Sequence, residues 1–102
     1  MNKGIGVDIV DIDRIEFSIV SKVLSNKEQE LFNSMSIIRK KEFLAGRFAI
    51  KEALFKAGIK SKFSELNIMY NDDGSIYLEG YDNVSVSISH EKNIAIGFAI
   101  VY

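Results

Sequence analysis

One stretch constrains the fold of this chain more than any other: from Ser36 to Ala57 the residues carry an unbroken helical signal that stops at Gly58. Glycine tolerates the left-handed conformation with which helices commonly close, so Gly58 marks the end. Placing each residue about 100° after the last gives two charged stripes instead of one. Lys40, Arg47 and Lys51 form the first; Lys41, Glu42, Glu52 and Lys56 form the second. Between them runs an apolar strip of Leu44, Phe48 and Phe55, and Phe43, Ile50 and Leu54 make a second apolar surface on the opposite side. Such a helix is expected to be buried on most of its circumference. Glu52, flanked by Phe48 and Ala49, is then costly unless a cation compensates it. Two cations are open at this point. Lys56 stands four residues later in the favourable order for an ion pair; alternatively a metal ion shared with another carboxylate compensates Glu52, leaving Lys56 free to meet a phosphate.

The segments around this helix read as strands and short helices. Ile5, Val7 and Ile9 alternate with Gly6, Asp8 and Val10, which predicts a strand over 3–10. Asp13 and Glu16 have N-cap spacing ahead of a short helix or turn, and Ser25 with Glu28 repeats it ahead of a helix over 26–34. Residues 66–70 and 75–78 flank Asn71-Asp72-Asp73-Gly74, turn chemistry joining two strands. A last pair follows, Val84, Val86 and Ile88 alternating with Ser85, Ser87 and Ser89, then a turn at His90-Glu91-Lys92-Asn93 into Ile94, Ile96, Phe98 and Ile100. With no linker and no repeat, residues 1–102 are expected to form a single α+β domain, an antiparallel sheet packed on the long central helix.

Composition narrows the chemistry. An apolar share of 47% in 102 residues predicts a chain that folds throughout, at a size where oligomerisation helps. The absence of cysteine excludes disulfides, thiolate zinc sites and cysteine nucleophiles; a single histidine leaves metal sites to carboxylates and hard cations. A formal net charge of −1 gives no pull toward nucleic acid, and Arg39-Lys40-Lys41 reads as a solvated first helical turn. No apolar run is long enough to span a bilayer and the first residues lead into a strand, so no membrane partner and a cytoplasmic location are expected.

Two positions sit badly in a plain core. Asp8 is an aspartate in a strand, beside Gly6. It faces solvent, or it is a carboxylate on a rigid strand next to a glycine that admits a ligand. His90 shares the side of Val84, Val86 and Ile88, and Ser85, Ser87 and Ser89 form a ladder on the outer face without a base to activate any of them.

Three motifs then make the chain resemble the holo-acyl-carrier-protein synthase branch of the phosphopantetheinyl transferases: GIGVDIVDIDRI at 4–15, FLAGRFAIKEALFKAG at 43–58 and SISHEKNIAIGFAI at 87–100. Their order and wide spacing make chance agreement implausible. The resemblance implies an α+β fold assembling as a homotrimer, with coenzyme A bound in clefts between neighbouring subunits. It implies transfer of 4′-phosphopantetheine from coenzyme A to a serine of apo-acyl-carrier protein, releasing adenosine 3′,5′-bisphosphate, in fatty acid biosynthesis. By the same resemblance Asp8 and Glu52 are the Mg²⁺ ligands and Lys56 contacts phosphate, these three being the catalytic set. Ser89 and His90 lie near the coenzyme's phosphates, Arg47 and Gly58 near the nucleotide, and Arg14 faces the carrier protein. Two carboxylates suit Mg²⁺, which completes its shell with phosphate oxygens and water. The general base stays open between a water held by the metal and a carboxylate.

The sequence departs from the family pattern in three places. Phe55 stands where many relatives have a small hydroxyl residue, removing one expected phosphate contact. Residues 74–78, GSIYL, lack a proline common in that hairpin. After Arg14 a shortened segment holds Glu16, Phe17, Ser18 and Ile19 where relatives place more basic residues, so the surface that docks an acidic carrier is either weaker or recruits Lys22, Lys27 or the Arg39 cluster. A catalytically weak coenzyme A or carrier-protein binding module is the alternative function these departures raise.

Overall fold

The long helix organises everything else. In the computed structural model, which describes residues 3–102, it is α3, Ile37–Ala57. Ser36 caps its start by accepting from the Arg39 N–H, and Gly58 ends it at φ 116°, its N–H donating to the carbonyls of Leu54 and Phe55. Eleven of its residues are buried, including Arg47 and Lys51 as well as the expected apolar positions. Burial on most of the circumference is therefore what the structure has.

Strand β1, Gly4–Asp11, is followed by 3₁₀ turns at Ile12–Arg14 and Phe17–Ile19, a four-residue helix α1, Val20–Val23, and helix α2, Asn26–Asn33. Both halves of a capping box are present at α2, Ser25 accepting from the Glu28 N–H and Glu28 from the Ser25 N–H. After α3 come a 3₁₀ turn at Phe63–Glu65 and strands β2, Ile68–Tyr70, β3, Ile76–Leu78, β4, Val84–Glu91, and β5, Ile94–Val101. Strand β4 runs through His90 and Glu91, which the sequence pattern had assigned to the turn. Register pairs Glu91 with Ile94, so only Lys92 and Asn93 form the loop, and Lys92 takes φ 55°, as two-residue hairpins with primed turns require.

The strands do not make one sheet. They form a three-stranded antiparallel sheet, β1-β5-β4, and a separate hairpin, β2-β3. The larger sheet lies on α3 through small residues. Ala95, Gly97 and Ala99 of β5 point inward and are buried, as is Gly6 of β1. A Cβ on Gly6 would fall 1.8 Å from the Ala53 carbonyl oxygen, and one on Gly97 2.5 Å from the Ala49 carbonyl carbon. Gly6 therefore admits the helix backbone and not a ligand, correcting the sequence reading.

Large side chains take the other face. Ile5, Val7 and Ile9 of β1 stand across from Ile100, Phe98 and Ile96 of β5, which stand across from Ser85, Ser87 and Ser89 of β4. In the isolated chain Ile5 is 67% and Phe98 40% exposed. Of the two readings left open for Asp8, the solvent-facing one does not hold: Asp8 is on the helix side, and the face away from the helix is mostly apolar. No helix among the described residues is long and apolar enough to cross a membrane.

Candidate active site

Two clefts receive most of the residues singled out by the sequence. The first lies where β1 meets α3. Asp8 is positioned by the β1 ladder, opposite Gly97, with its side chain mostly covered. Glu52 and Lys56 are one turn apart on α3. The Lys56 ammonium donates to Asp8 Oδ1 at 3.2 Å and to the Val7 carbonyl at 3.1 Å. Lys56 is therefore engaged by Asp8, and the sequence-level alternative, a Glu52–Lys56 pair, does not form. Glu52 is half-buried and has no hydrogen bond or ion pair with any described residue. Asp8 and Glu52 line one open cleft together with Asp11, Arg14 and Phe48.

A half-buried carboxylate without a partner, beside a second carboxylate held by an exposed lysine, is an arrangement that a divalent cation would complete. No three acidic or histidine side chains among the described residues gather into a metal cage. Mg²⁺ does not need one, because it binds through one or two carboxylates with phosphate and water filling the rest. The donors fit a hard cation.

The second cleft lies between α3, the β2-β3 hairpin and the end of β4. Arg39, Glu42, Arg47, Tyr70, Ile88 and His90 face a cavity of about 160 Å³. His90 is exposed there, on the inward side of β4, while Ser89 points to the other face, where it borders a shallow depression with Ile9, Ile94 and Ile96. His90 borders both spaces. Arg47 is held between the Phe43 ring, 4.2 Å from its guanidinium carbon, and the Tyr70 ring at 5.1 Å. Its Nη2 donates to the Ile68 carbonyl at 3.0 Å. Gly58 closes the helix and borders neither cleft. Phe55 is exposed, with the Lys60 ammonium 3.8 Å above its ring.

Sequence reasoning missed the carboxylate behind Arg47. Glu28 is fully buried, 3.3 Å from Arg47 Nε through Oε2 and bonded to the Lys51 ammonium through Oε1. Lys51 also donates to the carbonyls of Val23, Phe63 and Leu66 at 2.7–2.8 Å. Burial holds its ammonium below the ordinary lysine range, and Glu28 opposes that shift. The available signal was two cations at i, i+4 on a helix buried nearly all round, which demands an anion from elsewhere.

A profile of the 4′-phosphopantetheinyl transferase superfamily matches residues 4–99. The chain belongs to that superfamily. Among these transferases it is 37% identical to the holo-acyl-carrier-protein synthase of Petrotoga mobilis, over 99% of this chain and 97% of that protein. It is 40% identical to the Mycoplasma mycoides synthase, over 98% of this chain and 94% of the other. The Bacillus anthracis synthase crystallised with coenzyme A (3′,5′-ADP) superimposes with a TM-score of 0.87 at 32% identity, over 96% of this chain and 94% of the other. The coenzyme A complex of the Helicobacter pylori synthase gives 0.78 at 29% identity, over 96% and 99%. The phosphopantetheinyl transferase fold therefore extends along almost the whole chain.

Proposed function

We propose that this chain is a holo-acyl-carrier-protein synthase: it moves 4′-phosphopantetheine from coenzyme A to a serine hydroxyl of apo-acyl-carrier protein and releases adenosine 3′,5′-bisphosphate, in the cytoplasm, for fatty acid biosynthesis. The observation that carries the reading is the meeting of Asp8 and Glu52 at one open cleft, from a strand and a helix far apart in the chain, with Lys56 on Asp8.

In this reading Asp8 and Glu52 hold Mg²⁺. When bound, the ion neutralises charge on the coenzyme's pyrophosphate. Lys56, exposed and held by Asp8, meets a phosphate oxygen and adds a second positive charge there. Ser89 and His90 lie near the coenzyme's phosphates, and Arg47 and Gly58 near the nucleotide. Arg14, exposed at the mouth of the Asp8–Glu52 cleft, faces the incoming carrier protein. The serine oxygen attacks the phosphorus bearing the pantetheine arm, the bond from that phosphorus to the bridging oxygen breaks, and the bisphosphate leaves with that oxygen. The serine proton passes to a general base at the cleft.

The active unit is a homotrimer. The apolar outer face of β1 and β5 supports this, since a contiguous exposed apolar surface marks an interface. So does the cavity at Arg47 and His90, which is below the roughly 300 Å³ at which pockets begin to enclose a drug-sized ligand, so a neighbouring copy is needed to complete the site. Phe98→Asp, at the centre of that face, is expected to convert a trimer into monomers in sedimentation velocity. A wild-type chain that sediments as a monomer while binding coenzyme A would refute the assembly.

The reaction is tested by intact mass. Wild-type protein with coenzyme A, Mg²⁺ and an apo-carrier protein should add one phosphopantetheine mass to the carrier. Asp8→Ala and Glu52→Ala should abolish the shift while leaving the protein folded. Binding without any shift by the wild-type chain identifies a carrier or coenzyme binding module instead. Full activity in both variants refutes the site.

A further inference from the structure

We infer that Glu28 is a positioning residue for coenzyme A: it holds Arg47 and the β2-β3 hairpin in their binding attitude before the nucleotide arrives. The inference rests on the reading of Arg47 as a coenzyme contact and assigns a role to a residue outside both clefts.

A capping box uses one carboxylate oxygen, and Glu28 Oε1 serves it, accepting from the Ser25 N–H at 2.9 Å. Its second oxygen has no capping role. Oε2 accepts from the Ile68 N–H at 3.0 Å and lies 3.3 Å from Arg47 Nε. That Nε makes no hydrogen bond of good geometry, so the contact is an ion pair. Arg47 in turn donates to the Ile68 carbonyl. Both polar groups of one backbone residue are thus tied to a buried ion pair, and that residue begins the hairpin whose Tyr70 stacks on Arg47. Lys51 fixes the carboxylate from behind, bonded to it and to three carbonyls.

The charges point the same way. One carboxylate faces two buried cations, Arg47 and Lys51, so the cluster keeps one positive charge in excess. Lys51 is wholly enclosed, whereas Arg47 borders the cavity that Arg39, Glu42 and His90 also face, where Glu42 is matched by Arg39 at 3.8 Å. The unmatched charge is therefore presented to the cavity, where a phosphate of the coenzyme would balance it. Glu28 sets the direction of that charge without touching the ligand.

The test is a double-mutant cycle on the full-length protein, with affinity for adenosine 3′,5′-bisphosphate measured by calorimetry. Glu28→Gln keeps the shape and the cap acceptor but loses the charge, and is expected to weaken binding about tenfold or more. In an Arg47→Met background the same change should cost less than about twofold, because the group it positions is gone. In turnover, Glu28→Gln should raise KM for coenzyme A and leave kcat at saturation near wild type, a split that a purely structural role would not produce. Equal losses from Glu28→Gln in both backgrounds, or no loss in the wild-type background, overturn the inference alone. Unchanged affinity in Arg47→Met overturns the assignment of Arg47, and the inference with it. A wild-type measurement stands beside the variants: exchange of the Ile68 amide should be slow without nucleotide and no slower with it. Strong extra protection on binding would mean that the hairpin is not set in advance, and would overturn the inference.

Discussion

Helix α3 carries two clusters of cation and carboxylate on neighbouring stripes, and they have opposite character. Arg47 and Lys51 meet Glu28 in the interior, where the carboxylate and the ammonium have no exposed surface and the ammonium has four acceptors. Of Glu52 and Lys56, one and five residues beyond Lys51, Glu52 shares an open cleft with Asp8 and lacks a partner among the described residues, while the half-exposed Lys56 pairs with Asp8. In the first cluster Glu28 and Lys51 are committed to holding the fold, since water cannot replace a lost partner there, and only Arg47 reaches a cavity. In the second, Glu52 is left unmatched at an open cleft, where a bound cation would cost the fold little.

The sharpest way to break this comparison is Lys51→Met. It removes the shared ammonium donor of Glu28 Oε1 and of three buried carbonyls, leaving Glu28 only Arg47 as a cation, so a loss on the order of 3–5 kcal/mol is expected in denaturant unfolding. A loss below about 1 kcal/mol, the value of an exposed pair, would mean that the cluster is solvated and the contrast false. Next in size comes Glu52→Gln, which should lower the rate of carrier labelling on the order of 10²–10³-fold. Its unfolding midpoint should stay at the wild-type value, because no protein contact is lost. The smallest effect belongs to the stability of Lys56→Met, under about 1 kcal/mol for an exposed ion pair. If either cleft variant destabilises as much as Lys51→Met, the two clusters are not different in kind.

Most elements were legible from the chain alone, for local reasons. Helix α3, its Ser36 and Gly58 ends and the Ser25–Glu28 box follow from side chains a few residues apart, and the alternation in β1, β4 and β5 follows from a period of two. Motif resemblance brought Asp8, Glu52 and Lys56 forward as a group; Asp8 and Glu52 line one cleft, and Lys56 is bonded to Asp8. Pairing between them was less legible. Lys56 has two carboxylates within reach, and only the approach of β1 to α3 selects Asp8 over Glu52. Ser89 and His90 were expected side by side at the phosphates; strand alternation puts them on opposite faces of β4, with His90 bordering the spaces on both sides.

Local pattern thus determined which segments are helix and strand, where the capped helices stop, and which side chains share a face, because those depend on backbone period and nearest neighbours; the end of β4 was set by its pairing with β5. Which face turns inward was decided only by tertiary packing. Gly6, Gly97 and Ala99 allow the sheet to approach α3 more closely than Ile and Phe could, so the small face is buried and the large apolar one is left outside. The same packing recruited Glu28, from a cap on another helix, to the interior beside Arg47 and Lys51. A charge that must be matched says that a partner exists, and only the folded chain says which one comes within reach.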